Sequence, residues 1–362
     1  MKVLCITRCY PPVIGGMEKV SFELTSRMAN LTTTHVIANR RGKKFLPLFL
    51  PYALFKAVIL IKTQGIDIVH LGDGALAPLG TFIKRFCRIP VVATVHGLDV
   101  TYSAKRYQAL IPRHLGNLDK LICISRYTME ECVNREISAE KCTVITNGVN
   151  PDEFYFPDPE SRVKLQDVLK TNLTGKFILL SVGHLVARKG VSWFIQSVMP
   201  KLEEDYVYLV IGGYGNASKG DEKTAYNQLA KGYGVRHRVF LLGHVPDEIL
   251  RLAYNSADLL IMPNVMISGD MEGFGVVALE AASCNLPVIA SDLEGIKDAV
   301  KDEVTGLLVE PYDVQDFLEK IYAHKRHAAI RAQARDYVLE NYAWDRIAAR
   351  YYELFEEIIG GR

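Results

Sequence analysis

The stretch NPDEFYFPDPES, residues 150–161, decides how the sequence divides. It carries three prolines and several acids and no apolar period, so it reads as a linker between domains. On its N-terminal side short apolar runs alternate with helical patterns. MKVLCIT (1–7), HVIA (35–38), DIVH (67–70), PVVATVH (90–96), DKLICIS (119–125) and CTVITNG (142–148) read as strands. On its C-terminal side the alternation restarts with KFILLSVG (176–183), YVYLVIGG (206–213), RVFLLG (238–243), DLLIMP (258–263), PVIASD (287–292) and GLLVEP (306–311). Runs rich in Val and Ile without polar alternation are what strands buried on both faces require, and strands alternating with helices imply parallel sheets. Helices are expected at residues 18–29, 127–135, 191–202, 221–232, 247–256 and 275–283, with helical pattern from 314 to 359. The fold class is therefore α/β, with two Rossmann-like domains (1–160 and 170–340) whose parallel sheets face a cleft. Ligands belong at the C-terminal ends of such strands. A last helix, at about 342–362, is expected to pack back onto the first domain.

Composition supports this division. The 362 residues suffice for two cores, and 49% apolar with 23% charged residues is a globular balance. The net charge of +2 argues against a nucleic-acid partner, but it hides a partition: Met1–Arg126 carries +12 and the remainder −10. One half is thereby suited to meet something anionic. Seven cysteines form no CxxC pair, so zinc ribbons and thioredoxin-like chemistry find no support, and several sit in apolar runs where Cys is a small hydrophobe. A reducing cytosol is the expected compartment, and the start runs into a strand without a cleavage site.

Four segments carry candidate chemistry. PPVIGGMEKV (11–20) follows the first strand, and Gly15 and Gly16 permit close backbone approach where a helix opens toward a phosphate. It is not GxGxxG, which disfavours a nicotinamide oxidoreductase; a plain strand-to-helix turn is the rival reading. HGLD (96–99) places His96 at a strand end, where it can bond a sugar hydroxyl or phosphate, with Asp99 beside it; a structural histidine is the rival. SVGHLVARKG (181–190) puts Arg188 and Lys189 at the mouth of a helix, a clamp for a diphosphate or else a solvated charge pair. The strongest signal is EGFGVVALE (272–280). Glu272 precedes Gly273, Phe274 and Gly275, and Glu280 falls about two turns into the helix they open. Paired carboxylates that chelate vicinal hydroxyls suit a nucleotide sugar. An amphipathic helix with one exposed Glu does not explain the coincidence of acid, glycines and an apolar ALEAA run.

Taken together, IGGMEKV, HGLD, VITNGVNPDEF, SVGHLVARKG, GHVPDEIL and EGFGVVALEAASCNLPVIAS resemble glycosyltransferase family 4, retaining transferases of the GT-B fold. The resemblance runs the length of the chain in order. It implies that Gly16 lies against the donor phosphate and that His96 contacts the donor sugar. It implies that Arg188 and Lys189 neutralise the leaving diphosphate, and that Glu272 with the amides of Gly273, Phe274 and Gly275 holds the sugar. Glu280 would take the ribose hydroxyls, the region around Gly213 and Val245 would frame the base, and Gly183 would also bind the donor. The loop MPNVMISGDMEGFG resembles the subgroup of phosphatidylinositol mannosyltransferases. Where relatives often have Cys-Gly this chain has Cys284-Asn285, and Asn also tolerates the left-handed turn that ends a helix.

No DxD motif occurs, and Asp270-Met271-Glu272 shares its acid with the paired motif. No metal and no cofactor are expected, the substrate being a GDP- or UDP-linked sugar. Arg188, Lys189 and the helix dipoles would supply the charge. Covalent and front-face retaining routes both stay open; the family's preference is front-face. Arg40, Arg41, Lys43 and Lys44 precede FLPLFLPYALFKAVILI (45–61), a run too short and too interrupted by Lys56, Pro47 and Pro51 to span a bilayer. It reads as a core helix with a solvated loop, or as a helix whose basic tip and prolines touch lipid. These cations and Asp99 make the acceptor side, for a lipid-linked or glycan acceptor at an anionic membrane surface. The rival functions are a GT-B nucleotide-sugar epimerase, which would want further carboxylates, and a non-catalytic membrane-associated scaffold of the same fold.

Overall fold

The computed structural model describes residues 1–13, 15–213 and 219–361; the side chains of Lys43 and of residues 219–222 lie outside the described set. The chain forms two compact units. Unit 1 comprises Met1–Gly148, Gly269–Phe274 and Tyr342–Arg362; unit 2 comprises Val149–Ser268 and Gly275–Asn341. All twelve runs read as strands are strands.

In unit 1 these are β1 (Lys2–Thr7), β2 (Thr33–Ala38), β3 (Ile68–Leu71), β4 (Val91–Val95), β5 (Lys120–Cys123) and β6 (Cys142–Val144). They form one parallel sheet in the order β2-β1-β3-β4-β5-β6. Side chains alternate across it. Leu4, Ile6, Val69, Leu71, Val91 and Ala93 face one core with Ala53, Ile83 and Leu115 from helices Leu46–Gln64, Ala77–Cys87 and Lys105–Gly116. Val3, Cys5, Ile68, Val92 and Ile122 face another. That second face is covered by Leu24 and Met28 of helix Gly16–Leu31 and by the C-terminal helix Trp344–Gly360.

The C-terminal helix presents Trp344, Ile347, Ala348, Tyr351, Leu354 and Phe355, a stripe at three- and four-residue spacing. Each large side chain so buried contributes about 1.5–3 kcal/mol. Gly148 stands where a Cβ would press on the Trp344 ring, so only glycine lets the chain leave unit 1 there. The Tyr351 hydroxyl lies 3.0 Å from Thr94 Oγ1, which lies 2.8 Å from His70 Nε2.

Unit 2 contains β7 (Phe177–Val182), β8 (Tyr206–Ile211), β9 (Val239–Gly243), β10 (Leu259–Met262), β11 (Val288–Ser291) and β12 (Gly306–Val309). Its parallel order is β12-β11-β10-β7-β8-β9. Leu179, Tyr208, Leu259 and Ile289 of the sheet pack with Phe194, Ile195, Phe317 and Ile321 from helices Val191–Ser197 and Val314–Ile321.

Three sequence expectations change. The expected helix over 191–202 stops at Ser197, and a 3-10 turn Met199–Lys201 follows, because Pro200 lacks the N–H that an α-helix needs. The helical pattern from 314 resolves into four helices, of which Trp344–Gly360 alone belongs to unit 1. The stretch 150–161 is stapled to unit 2, so the units divide at Gly148 rather than beyond 160. Asn255 donates to Phe154 O (2.7 Å) and accepts from Phe156 N (3.0 Å). The Arg335 guanidinium donates to Pro151 O and to Asp152, both at 2.6 Å, and lies over the Tyr155 ring.

Helix Leu46–Gln64 packs through Phe49, Ala53 and Ala57, yet Leu48 (72% exposed), Tyr52, Phe55 (69%) and Ile59 on its other side face outward. Against the expectation from the run 45–61, the helix is long and apolar enough to cross a membrane by length and composition alone. The core-helix reading therefore accounts for one of its faces only.

Burial depresses His70 to a pKa of about 3 from 6.5, with the charge of His96 adding to the effect. A histidine held neutral in the native state binds fewer protons than in the unfolded chain, so its stabilisation is complete above pH 6.5 and is lost as pH falls toward 3. Unit 1 is expected to lose about 1.4 kcal/mol per pH unit through His70 below pH 6.5. Urea unfolding followed by Trp344 fluorescence in a Trp193→Phe background measures this. His70→Asn should flatten the slope by that amount.

Candidate functional site

In both sheets the strand order reverses beside the first strand, between β1 and β3 in unit 1 and between β7 and β10 in unit 2. Loops leaving the strands on either side part there and open a crevice at the carboxyl ends. Gly16 follows β1 and Arg188 and Lys189 follow β7, at these two places.

In unit 1, Asp99 is buried (5% exposed) and both its oxygens are occupied by backbone donors. Oδ1 accepts from His96 N and Oδ2 from Gly74 N, each at 2.8 Å. Burial raises its pKa, and the nearby His96 opposes the rise. Asp99 ties the β3 loop to the β4 loop and sets the His96 backbone. The His96 ring lies with Nε2 2.9 Å from Gly72 O. A carbonyl only accepts, so Nε2 carries the hydrogen, and in the neutral ring Nδ1 is the acceptor. His96, Thr7, Ser21, His70, Gly72 and Asn147 line one cavity.

The segment Gly269–Phe274 lies on this end of β4. A side chain at Gly273 would strike the His96 carbonyl, and Gly97 at φ 101° has Met271 against it. Glu272 (9% exposed) is thereby held beside the His96 loop, and Phe274 is buried 6.3 Å from the Tyr342 ring. Gly15 abuts the Glu18 carboxylate, while Gly16 opens helix Gly16–Leu31 into free space.

Sequence reasoning missed Arg8 and Asp73. Arg8 Nε donates to Asp73 Oδ1 at 2.8 Å, and Asp73 is wholly buried. The readable signal was a cation directly after the first strand of a doubly wound sheet. Arg40, Arg41 and Lys44 are exposed; Arg40 lies over the Tyr10 ring and Arg41 over Phe45, and the Lys43 side chain lies outside the described residues.

In unit 2, Arg188 and Lys189 form a 3-10 turn, both half-buried. Gly190 follows at φ 65°, where a Cβ would overlap the Pro263 carbonyl, and Val265 N donates to Arg188 O at 2.9 Å. The turn is thus clamped onto the end of β10. Lys189 runs along Gly183, and Gly212 packs against the Gly183 carbonyl too closely for any side chain. Gly213 faces the His184 ring, and Val245 sits half-buried after β9. Lys189, Gly183, His184 and Asn264 share a cavity at the strand ends.

Gly275, at φ 90°, caps helix Val276–Ser283, whose first amides lack helical partners. Glu280 within it is buried (8% exposed) and accepts a 2.8 Å hydrogen bond from Tyr254, a residue the sequence did not flag. Burial, then the Glu280 carboxylate, pushes the Tyr254 hydroxyl well above its usual range, so it stays a donor. The helix ends at Asn285 in the left-handed region (φ 55°), as its residue type allows. The motif 272–280 is divided between the units after Phe274.

Two cations at a helix mouth, glycines that admit backbone alone and a buried carboxylate held by a tyrosine are the kinds of group that phosphate and hydroxyl oxygens bind. Tyr254→Phe is expected to cost about 1.5–3 kcal/mol, because it removes a hydrogen bond to a buried carboxylate. Urea denaturation monitored through Trp193 in a Trp344→Phe background checks it.

Comparison with known proteins gives matching results. Residues 14–153 match the family described as glycosyltransferase family 4, and residues 166–338 match glycosyl transferases group 1. An uncharacterised glycosyltransferase of Methanocaldococcus jannaschii is 30% identical, covering 99% of this chain and 100% of that one. A GDP-mannose-dependent alpha-(1-6)-phosphatidylinositol monomannoside mannosyltransferase of Mycolicibacterium smegmatis is 27% identical over 97% of both chains. Among solved structures, Anabaena HepE in complex with UDP superposes with a TM-score of 0.80 at 18% identity, covering 99% of this chain and 100% of that one.

Proposed function

The chain belongs to the glycosyltransferases, with the GT-B fold, and from that premise we propose that it moves a sugar from a GDP- or UDP-linked donor to a lipid-linked or glycan acceptor with retention and without a metal. The observation that carries this reading is the Arg188–Lys189 turn, fixed by Gly190 against Pro263 at the switch point of unit 2.

There the two cations neutralise the diphosphate as the bond to the sugar breaks, a charge that grows toward the transition state. Glu280, held by Tyr254, takes the ribose hydroxyls, and the amides that open helix Val276–Ser283 add donors. Gly183, Gly213 and Val245 frame the nucleotide. In unit 1 the roles implied by the family resemblance are Glu272 with Gly273 and Phe274 on the sugar, His96 near the reacting carbon, and Gly16 at the phosphate. The leaving phosphate then accepts the proton of the incoming hydroxyl on the same face of the sugar.

Incubation with GDP-mannose, UDP-glucose and UDP-N-acetylglucosamine, with release of nucleotide measured, is expected to show turnover of one donor, undiminished by EDTA. Absence of turnover and binding with all three would refute the proposal. Lys189→Ala should lower kcat/KM about 10- to 150-fold, the value of about 1.5–3 kcal/mol for a hydrogen bond to a charged group.

We further propose that the enzyme works at the inner face of the cell membrane, in cell-envelope glycan synthesis. Leu48, Tyr52, Phe55 and Ile59 of one helix and Phe82 and Phe86 of the next helix in sequence are exposed apolar groups. Arg40, Arg41, Lys44 and Lys56 stand beside them in sequence, the pairing of apolar and basic groups that anionic lipid attracts. The mannosyltransferase relative is named for a phosphatidylinositol monomannoside acceptor. The protein is expected to float with phosphatidylglycerol vesicles at low salt and to do so less when Leu48 and Phe55 are changed to Asp. Equal recovery of wild type in the soluble fraction with and without vesicles would overturn this.

A further inference from the structure

Three cysteines of unit 1 converge from three elements. Cys123 ends β5, Cys132 lies in helix Arg126–Val133, and Cys142 begins β6. Their sulfurs all lie within 4.8 Å of one another, and those of Cys123 and Cys132 are 3.9 Å apart. All three are free thiols.

Sheet register brings two of them together. Leu121 pairs with Cys142 and Cys123 with Val144, so Cys142 and Cys123 lie on the same face, two residues apart along the pairing. The helix that follows β5 returns over that face and delivers Cys132. Cys123 and Cys132 are fully buried; Cys142, 7% exposed, lies on the edge strand and connects the group to the surface. The spacing in sequence, 123, 132 and 142, is unlike any local metal motif, so the trio is visible only once the strands pair.

Thiolate sulfurs sit about 2.3 Å from a bound ion such as zinc, and three of them arranged around one ion stand about 4 Å apart. The Cys123–Cys132 separation has this size and the other pairs lie within 4.8 Å, whereas a disulfide needs about 2.05 Å and joins only two. Among the described residues no histidine or carboxylate completes the group to four. Zinc in structural sites favours four ligands; soft, low-coordinate Cu(I) favours thiolates.

We propose that Cys123, Cys132 and Cys142 form a three-thiolate site for a soft monovalent ion of the Cu(I) class. As the ion enters, each ligating thiol loses its proton to solvent and forms a sulfur–metal bond, and no atom changes oxidation state. The bound ion ties β5, its following helix and edge strand β6 together. The site is separate from the residues assigned to sugar transfer, so its test needs no glycosyl donor.

The full-length reduced protein is titrated without oxygen against the Cu(I)–bicinchoninate complex, whose colour is lost as copper leaves it, with Zn(II) as the comparison ion. Wild type is expected to withdraw one equivalent of Cu(I), to gain thiolate charge-transfer absorption and to melt at a higher temperature with copper than without. Cys142→Ser, at the sheet edge, and Cys123→Ala are each expected to lose the withdrawal, while Cys87→Ala keeps it. Circular dichroism of the two variants establishes that they are folded. Failure of wild type to withdraw copper would overturn the proposal. So would equal withdrawal by folded Cys142→Ser and wild type, or one-to-one binding of Zn(II) in preference to Cu(I).

Discussion

A parallel strand cannot be followed by a tight turn into its neighbour. The chain must cross back over the sheet, and each crossing returns it to the same starting edge. Every loop that leaves a strand therefore emerges at one end. In this protein that constraint collects Arg8, Asp73, His96 and Asn147 at the carboxyl end of one sheet and Gly183, Gly213, Val245 and Asn264 at that of the other. Where two such loops must pass within backbone distance, side chains are excluded: Gly212 against Gly183, Gly190 against Pro263 and Gly273 against His96. The glycines are the means by which the sheets bring polar backbone and charged side chains close together.

The sheets were readable because most of their strands are nearly uninterrupted apolar runs of three to six residues, which neither a solvated loop nor a half-buried helix produces. Arg188 and Lys189 stood out in the sequence because they precede a glycine shortly after a strand, and Glu272 and Glu280 because they flank the glycines that open one helix. The helix Leu46–Gln64 was readable as a helix, but its outward apolar side was not. A helix apolar on every side gives no sign of which side is covered, and only the positions of Phe49, Ala53 and Ala57 against the sheet settle it.

What escaped the sequence depends on long-range pairing. Tyr254 and Glu280 are 26 residues apart, Arg8 and Asp73 are 65 apart, and Thr94 and Tyr351 are 257 apart. No periodicity links such positions. Asp99 shows the same dependence: the acid beside a histidine was visible in the sequence, but its bond to Gly74 N, 25 residues away, was not. The proline-rich stretch at 150–161 looked like a tether because it lacks an apolar period. Its order comes from Asn255 and Arg335, about 100 and 180 residues downstream, which hold it by polar bonds to the backbone.

The helix Trp344–Gly360 covers a face of the sheet whose strands all precede residue 145. During synthesis, the first unit begun is thus the last to be finished. Val3, Cys5, Ile68, Val92 and Ile122 have only the cover of helix Gly16–Leu31 while the whole of unit 2 leaves the ribosome and folds. The order of translation and the order of completion are reversed for the two units, and a chain stopped at Asn341 would release a finished second unit attached to an unfinished first one. For the time it takes to make some two hundred residues, the nascent chain carries a sheet face half covered, waiting on the arrival of one helix.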